Sequence, residues 1–329
     1  MIVLGIESSC DETAASIVKN NKILSNVVAS QIDIHKIFGG VVPELAARHH
    51  IRNLPVVVKE AVEKSGISIK EINVIGVTVK PGLVGALLTG LSYAKGLSYS
   101  LNIPLIGINH LEAHFTAAFI ENVVKYPFIS LVVSGGHTSL FYVKEPMNYK
   151  IIGETRDDAA GEAFDKVSKL LGLGYPGGQI IDELSKKGNP LTYNFPRGMI
   201  KSKNYDFSFS GVKTSVSTFV KKNPEILNSN LNDLVSSFQE AVVDVLVEKL
   251  YNASVDYGVS NVVVAGGVAA NSRLRYKMIE KFSDKRIKPV FPSLRYCTDN
   301  AAMVAYTTQN YFLANKIDDL SLDASDRYE

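Results

Sequence analysis

Residues 2–29 decide the fold, and they read IVLGIESSCDETAASIVKNNKILSNVVA. An apolar run over Ile2 to Ile6 is followed by a polar turn over Glu7 to Glu12, and further apolar runs cover Thr13 to Val18 and Ile23 to Ala29. Short apolar runs separated by polar turns are typical of β-strands joined in sequence. The stretch therefore predicts a meander of three strands.

The same plan recurs in residues 128–153, which read FISLVVSGGHTSLFYVKEPMNYKIIG. Strands are predicted over Phe128 to Val133, Thr138 to Val143 and Tyr149 to Gly153, with a turn at 134–137 after the first. The two stretches agree in pattern and not in residue identity. We interpret them as two copies of one structural unit.

Each meander is followed by helical segments and then by a continuous apolar run of the kind found in buried parallel strands. These runs are Asn73 to Val79 in the first half and Asn261 to Ala265 in the second. A β-meander followed by β-α-β units, present twice, describes an α/β protein with the duplicated actin-like ATPase fold. That architecture predicts two lobes with a central cleft that binds nucleotide.

Helices and domain limits follow from the same pattern. We place the lobe boundary near residue 124, so that the lobes span 1–124 and 125–298, and we expect a helix at 299–316 to return to the first lobe. An insertion or mobile surface loop is predicted at 188–214, and a flexible tail at 317–329. Helices are predicted over Pro43–Lys64, with a bend or break near Pro55, and over Leu83–Leu101, Asp158–Leu171, Asn232–Tyr257 and Ala269–Phe282.

Composition narrows the class of protein. At 329 residues and 46% apolar content the chain can bury two cores of ordinary size. Apolar stretches are too short to cross a membrane and the first residues lack signal-peptide features, so we expect a cytoplasmic protein. Cys10 and Cys297 are too few for a disulfide framework. The net charge of +2 neither supports nor excludes RNA binding.

Two of the six histidines, His110 and His114, are four residues apart, which stacks both rings on one helix face. Taken alone, the pair could equally be two buried histidines that serve only to pack the core and bind no metal. A zinc peptidase is disfavoured, because its base directly follows the first histidine, whereas Glu112 lies about 200° around the helix. A metal site needs a third ligand, for which Asp299 is the candidate. Such a set suits iron(II) or zinc.

Glycine-containing turns lie where strands give way to turns or helices, at 134–136, 174–178 and 266–271. Paired glycines let a backbone approach a ligand and direct its N–H groups toward it. The last turn lies between a buried strand and a helix, which would place Asn271 beside a nucleotide. Taken singly, each glycine pair could simply form a tight turn and bind no ligand. None matches a P-loop or a Rossmann motif.

A series of motifs from residue 5 to residue 300 resembles the tRNA adenosine threonylcarbamoyltransferase family, so that nearly the whole chain is covered. The His-Thr pair after the Ser-Gly-Gly turn resembles the bacterial branch, and Val132 stands where the other branch has a metal-coordinating tyrosine. The motifs are GIESSCDET (5–13), GGVVPE (39–44), GLVG (82–85), HxxxH (110–114), VSGGHT (133–138), GEAFDK (161–166), YPGG (175–178) and CTDN (297–300).

The resemblance implies transfer of a threonylcarbamoyl group from threonylcarbamoyl-adenylate to N6 of the adenosine beside the anticodon. The tRNAs concerned read codons that begin with A, and AMP is released. One divalent metal, iron(II) or zinc, is implied on His110, His114 and Asp299. A catalytically silent paralogous subunit and a small ATPase are implied as partners, and no membrane is.

The resemblance also implies the residues around the adenylate. Carboxylates at Asp165 and Asp182 suit ribose hydroxyls, and we assign proton removal from the attacking amine to Asp11 and Glu12. A basic surface for tRNA is predicted at Arg48, His49, His50, Arg52, Arg197, Lys201, Lys203 and Lys213. The nucleotide-binding residues are Val132, Val133, Ser134, Gly135, Gly136, Asp165, Gly178, Asp182 and Asn271.

Three other functions compete with this one. A kinase of the same fold would transfer the γ-phosphate of ATP and would not need paired histidines. A nucleotide-dependent binding module would give no modified adenosine. A metallopeptidase is the third, against which the histidine spacing argues.

Overall fold

The computed structural model describes residues 1–283 and 287–327. The chain divides into two compact units. Unit 1 comprises Met1–Asn122 together with the chain from Asp299 onward, and unit 2 comprises Val123–Thr298.

Unit 1 is built on a five-stranded sheet with the order β3-β2-β1-β4-β5. The predicted meander forms its antiparallel half, because β1 pairs with β2 and β2 with β3 in antiparallel register. The strands β4 and β5 then add in parallel beside β1. The strands are β1 (Ile2–Glu7), β2 (Glu12–Lys19), β3 (Lys22–Ser30), β4 (Val74–Lys80) and β5 (Leu105–Asn109).

Four helices of unit 1 precede unit 2 in the chain. The second begins with Pro43 at its first turn, where the missing N–H costs nothing, and ends at Gly66 in the left-handed region. The helix continues through Pro55, so of the predicted bend or break the break is wrong and the bend stays a prediction. The helices are α1 (Ile32–Lys36), α2 (Pro43–Ser65), α3 (Val84–Leu101) and α4 (His110–Thr116).

Unit 2 repeats the plan of unit 1, with the sheet order β10-β9-β6-β7-β8. The second meander is antiparallel, and β9 and β10 add in parallel beside β6. The predicted duplication is therefore confirmed. The strands are β6 (Phe128–Val133), β7 (Thr138–Glu145), β8 (Asn148–Glu154), β9 (Asn261–Ala265) and β10 (Lys288–Val290).

Helices pack on the sheet of unit 2, and the longest of them is buried along most of its length. A 3-10 turn at Gly267–Ala270 lies between β9 and the last helix of the unit, which begins at Ser272 rather than at Ala269 as predicted. The helices are α5 (Ala160–Leu170), α6 (Gly177–Ser185), α7 (Ser210–Lys222), α8 (Ile226–Ser229), α9 (Leu231–Asp256) and α10 (Ser272–Phe282).

Segment 188–214, predicted as an insertion or mobile surface loop, is anchored in the core of unit 2 by some of its residues. Its residues Phe207 and Phe209 are buried in that core. The carboxylate of Asp206 pairs with Arg156, with 2.6 Å between Nη2 and Oδ2. Glycine, proline and lysine in the sequence mark irregular backbone, but buried aromatic side chains hold that backbone in place.

The last helix, α11 (Ala301–Leu313), belongs to unit 1 and packs on its sheet. Glycine in β4 permits the close approach, because a Cβ on Gly76 would lie 1.7 Å from Oγ1 of Thr308. The same holds for Gly5 in β1, where a Cβ would lie 2.5 Å from the backbone nitrogen of Ala305. The helix after Asp299 is thus seated directly on the two central strands.

Residues 318–325 lie along β5 and β4 and do not form the frayed tail that the sequence predicts. The Asp318 amide donates to the Leu105 carbonyl at 3.0 Å, and the Ser325 amide donates to the Val79 carbonyl at 2.9 Å. Leu322 packs on the core of unit 1. Polar composition misled the prediction, since the edge of the sheet satisfies the backbone of this segment. Tyr328 and Glu329 lie outside the described residues.

Across residues 1–283 and 287–327, none of the helices combines the length and the apolar character needed to cross a membrane.

Candidate functional site

The two paired histidines lie on the short helix α4, directly after β5. The helix begins at His110 because the Asn109 side chain accepts hydrogen bonds from the amides of Leu111 and Glu112, at 2.9 and 3.2 Å. Because they are four positions apart on the helix, both rings lie on one face, and their Nε2 atoms are 3.1 Å apart. Both side chains are buried.

Asp299 completes the cluster from the other end of unit 1. It precedes the cap of α11, where the Asn300 side chain accepts from the Met303 amide at 3.1 Å. Its Oδ1 lies 3.1 Å from Nε2 of His114 and 3.5 Å from Nε2 of His110. The three ligand atoms all lie within 4.8 Å of one another. The structure thus brings together the three residues that the sequence predicts as metal ligands.

The chemistry and spacing of these three groups fit a divalent metal. Ligand atoms ~2.1 Å from a shared ion are roughly 3.0–3.4 Å apart, and the separations of 3.1 and 3.5 Å in the cluster are close to that. Two imidazoles and one carboxylate are ligands that both iron(II) and zinc accept. This is a candidate metal site.

Glu7, at the carboxyl end of β1, orients His110. Its Oε2 lies 3.1 Å from Nδ1 of His110 and accepts from the Thr78 hydroxyl at 2.6 Å, and its Oε1 accepts from the Ser9 amide at 2.6 Å. A carboxylate facing Nδ1 keeps the proton there and directs the Nε2 lone pair toward the cluster. No role is predicted for Glu7 from the sequence, although an acidic residue at the end of a buried strand is a signal that could have found it.

The pKa values of the two histidines are shifted in opposite directions. Burial disfavours the charged ring of His110, but the carboxylates of Glu7 and Asp299 outweigh it and raise the pKa of His110 to about 9. Burial and the neighbouring His110 charge lower the pKa of His114. Two imidazoles and two carboxylates thus lie close together in the interior, and a bound cation would change the balance of charge among them.

Glu112 contacts the last helix of unit 1. Its Oε2 accepts from the Tyr311 hydroxyl at 2.7 Å, which ties α4 to α11. This contact agrees with the argument from spacing against a peptidase, because the carboxylate is engaged in holding two helices together.

Of the predicted proton acceptors, Asp11 lies on the turn between β1 and β2 and Glu12 is the first residue of β2. One oxygen of Glu12 accepts from the Ser30 hydroxyl at 2.8 Å, and the other is buried without a hydrogen-bond partner. Burial raises the pKa of Glu12 to about 8, with the Asp11 and Asp299 charges adding to the effect. Burial and the Asp299 charge also raise the pKa of Asp11. A carboxylate with a pKa near neutrality is suited to take up a proton.

The glycine turn after β6 is an open main-chain surface in unit 2. Val132 and Val133, which lead into this turn, are fully buried in β6. At Gly135 and Gly136 a Cβ would meet no atom within 4 Å. By contrast Gly161 at the start of α5 packs tightly on the turn, since a Cβ there would lie 2.4 Å from the Ser134 carbonyl oxygen.

Hydrogen bonds link the other predicted nucleotide residues of unit 2. Asp165 accepts from the Gly177 amide at 2.7 Å, next to Gly178. Asp182 accepts from the amide and hydroxyl of Ser272, at 3.1 and 2.8 Å. The Asn271 side chain caps α10 through the Leu274 amide at 2.9 Å and donates to Gln239 at 2.7 Å. The residues share one region, and their contacts with a nucleotide stay predictions.

The predicted basic surface is only partly available. His50 is fully buried, which corrects its placement there. Lys213 pairs with Asp158 at 2.9 Å and Arg197 with Asp244 at 2.8 Å. The basic residues of α2 are predicted to share one surface, but the helix turns His50 toward the sheet, where its Nδ1 lies 2.8 Å from Oγ1 of Thr13.

Comparison with solved structures defines the class. The chain aligns with component A of (R)-2-hydroxyglutaryl-CoA dehydratase from Acidaminococcus fermentans, with a TM-score of 0.57, 15% identity, and 94% and 98% of the two chains covered. It aligns with HypF in its phosphate- and nucleotide-bound form, with a TM-score of 0.64, 14% identity, and 96% and 47% covered. The predicted fold is confirmed: this is a protein of the actin-like ATPase fold.

Sequence comparison defines the family within that class. The family model for tRNA N6-adenosine threonylcarbamoyltransferase matches residues 22–306. Proteins of that name in Thermosipho africanus and Clostridioides difficile are 54% and 52% identical, covering 98% of this chain and 98% and 97% of theirs. The chain belongs to the tRNA N6-adenosine threonylcarbamoyltransferase family.

Proposed function

We propose that this chain transfers a threonylcarbamoyl group from threonylcarbamoyl-adenylate to N6 of the adenosine 3′ of the anticodon, in tRNAs that read codons beginning with A. The observation that carries the proposal is 54% identity over 98% of both chains to a relative named for this transfer. The buried cluster of His110, His114 and Asp299 supports it, because such a cluster has no part in a simple nucleotide-binding module.

The chemistry explains the need for an activated donor. An exocyclic amine is a poor nucleophile because its lone pair is delocalised into the ring, so the acyl carbon must be activated and held in line. In the proposed step a bond forms between N6 and the carbamoyl carbon, and the bond from that carbon to the phosphate oxygen breaks. AMP leaves with the bonding electrons, and the amine loses one proton to the enzyme.

His110, His114 and Asp299 would hold one divalent metal, for which we propose iron(II) or zinc. The ion supplies Lewis-acid polarisation and an anchor for an anionic oxygen of the donor. Glu7 fixes the ring of His110 for this purpose, and Val132 leaves no tyrosine at the position that coordinates metal in the other branch of the family. Three protein ligands therefore leave coordination open to the donor.

Glu12, assisted by Asp11, would accept the proton of the attacking amine. With a pKa of about 8, Glu12 holds its own proton at neutral pH and becomes able to accept one from the amine as the pH rises toward 8. One of its oxygens is buried without a hydrogen-bond partner. Asp11 immediately precedes it in the chain, and the negative charge of Asp11 favours protonation of Glu12.

The adenylate would lie against the main chain of the glycine turn in unit 2. Open space at Gly135 and Gly136 supports this, since backbone N–H groups there can reach a phosphate. Asp165 and Asp182 carry carboxylates, the groups that accept hydrogen bonds from ribose hydroxyls. The family resemblance also assigns Val132, Val133, Ser134, Gly178 and Asn271 to the proposed nucleotide site.

A tRNA substrate places this reaction in the cytoplasm. We also propose that the chain acts with a catalytically silent paralogue and a small ATPase, a proposal that rests on the family resemblance alone.

Mass spectrometry of nucleosides tests the proposed function. The purified chain with its partners, an isoleucine-type tRNA transcript and threonylcarbamoyl-adenylate should yield threonylcarbamoyladenosine and an equal amount of AMP. A tRNA that reads codons beginning with another base is the matched control and should stay unmodified. ATP hydrolysis or phosphoryl transfer by the chain alone, without modified adenosine, would favour the kinase instead.

A further inference from the structure

His50, fully buried in α2, crosslinks the turn that carries the proposed proton acceptors. Its Nε2 lies 2.9 Å from the carbonyl oxygen of Cys10, and its Nδ1 lies 2.8 Å from Oγ1 of Thr13. A carbonyl oxygen only accepts, so Nε2 bears the proton and Nδ1 accepts from the Thr13 hydroxyl. Both ring nitrogens are therefore used by the neutral imidazole.

The two partners of His50 flank Asp11 and Glu12 in the sequence. Cys10 immediately precedes this pair and Thr13 immediately follows it, so the imidazole bridges the two residues on either side of the pair. Backbone bonds hold the same turn, from the Gln31 amide to the Asp11 carbonyl at 3.1 Å and from the Leu83 amide to the Ser9 carbonyl at 2.8 Å. The ring adds a rigid bridge between the two ends of the acidic pair.

We propose that His50 is a positioning residue, which fixes the Asp11-Glu12 turn and so keeps the Glu12 carboxylate in its buried setting. This inference rests on the proposed function, in which that carboxylate receives the proton of the amine. His50 touches neither the reacting atoms nor the metal ligands. It acts by setting where Glu12 lies and how much water reaches it.

The electrostatic surroundings are consistent with this role. Burial is the largest influence on His50 and lowers its pKa, and the nearby His49 lowers it further. The hydrogen bond to the Cys10 carbonyl and the charges of Glu7 and Asp11 oppose this shift but do not outweigh it. The ring therefore stays neutral near pH 7. Glu12 faces the Ser30 hydroxyl, Asp11 and Asp299, and burial is the largest influence on it. A looser turn admits water to Glu12, and its pKa then falls toward the ordinary value of 4.5.

The test measures single-turnover transfer to tRNA from pH 5 to 9 in the assembled enzyme. His50→Leu removes both hydrogen bonds, and Thr13→Val removes one with little change of shape. His50→Gln offers one donor and one acceptor on its amide. Lys59→Gln, an exposed change on the same helix, is the control. Metal content, donor KM and melting temperature are measured for every variant.

We expect His50→Leu to lower the transfer rate roughly 10- to 100-fold, the effect of a small misplacement of a reacting group. Thr13→Val should show a smaller loss, and His50→Gln should recover part of the rate. In both damaging variants the midpoint of the acidic limb should move to lower pH, with metal content and donor KM unchanged. Lys59→Gln should match the wild type.

Unchanged pH midpoints in His50→Leu and Thr13→Val, with any loss explained by less folded protein, would overturn the inference. If His50→Leu does not fold, Thr13→Val decides alone. Glu12→Gln distinguishes a failure of the proposed role of Glu12 from a failure of the proposed role of His50. If that variant keeps the wild-type rate and profile, then the proposed role of Glu12 fails and this inference falls with it. If Glu12→Gln alters the profile and the His50 and Thr13 variants do not, only this inference fails.

Discussion

The candidate sites of the two units are built by opposite means. In unit 1, side chains from distant parts of the sequence converge in the interior, and Asp299 meets His110 and His114 within 4.8 Å. In unit 2, the predicted nucleotide residues offer an open glycine backbone, while the side chains of Asp182 and Asn271 are bonded to neighbouring elements. The same repeated fold thus provides ligands and acids in one copy and main-chain N–H groups in the other.

This difference predicts which substitutions matter in each unit. In the proposed function, the chemistry of unit 1 depends on the identity of its charged side chains, which the backbone positions. The proposed nucleotide binding in unit 2 depends on the absence of side chains at the glycine turn. The predictions that follow test that contrast, starting with the largest expected effect.

Replacing Asp299 by Ala should abolish metal binding and lower threonylcarbamoyl transfer by ~10³-fold or more, because two imidazoles alone hold an ion weakly. Metal analysis by mass spectrometry and the nucleoside assay check this. Asp323→Ala, an exposed carboxylate of the same unit, is the control and should bind metal normally. Full metal occupancy in Asp299→Ala would refute the ligand assignment.

Replacing Gly266 by Ala should destabilise unit 2 by about 2–4 kcal/mol, as expected for a forced clash and a strained backbone. Its φ is +91°, and a Cβ would lie 2.4 Å from the Val133 carbonyl oxygen. Gly135→Ala is the informative partner, since a Cβ there meets nothing. Urea denaturation should find Gly135→Ala as stable as the wild type, while calorimetry should find its AMP affinity reduced. Unchanged AMP affinity would contradict a nucleotide site at this turn.

Replacing Glu7 by Gln should weaken metal binding roughly 10- to 100-fold, the usual effect of losing a carboxylate that orients a histidine ligand. Competition with a coloured chelator measures the affinity. Thr78→Val removes only the 2.6 Å hydrogen bond to the carboxylate and should have a smaller effect in the same direction. Equal affinities for wild type and Glu7→Gln would show that the carboxylate has no influence on His110.

Replacing Glu12 by Gln should make the protein more stable at alkaline pH, by up to about 5 kcal/mol. The folded state holds the Glu12 proton up to about pH 8, whereas the ordinary pKa is 4.5, so the folded state binds more protons between these values. Wild-type stability therefore falls as pH rises from 4.5 to 8, and the variant escapes this loss. Urea midpoints at pH 5 and pH 9 check the sign. A constant difference between the two proteins would contradict it.

The sequence predicted the sheets and the metal ligands because their signals are local or chemically distinctive. The two meanders are visible in the sequence as apolar runs separated by polar turns. Two histidines and an aspartate form a set that is typical of metal ligands, which made His110, His114 and Asp299 recognisable. Glu7 and His50 were missed or misplaced because their roles depend on partners far away in the chain. The segments 188–214 and 318–325 were mistaken for mobile parts because composition does not reveal buried aromatic anchors or pairing with a sheet edge.

The most direct test of the account is the rate of threonylcarbamoyladenosine formation as a function of metal occupancy. The wild-type enzyme is stripped with a chelator, reloaded in steps with iron(II) or zinc, and assayed with tRNA and threonylcarbamoyl-adenylate. The account predicts that the rate rises in proportion to occupancy, saturates at one ion per chain, and stays near zero in Asp299→Ala at every metal concentration. Full activity of the metal-free wild type would contradict it.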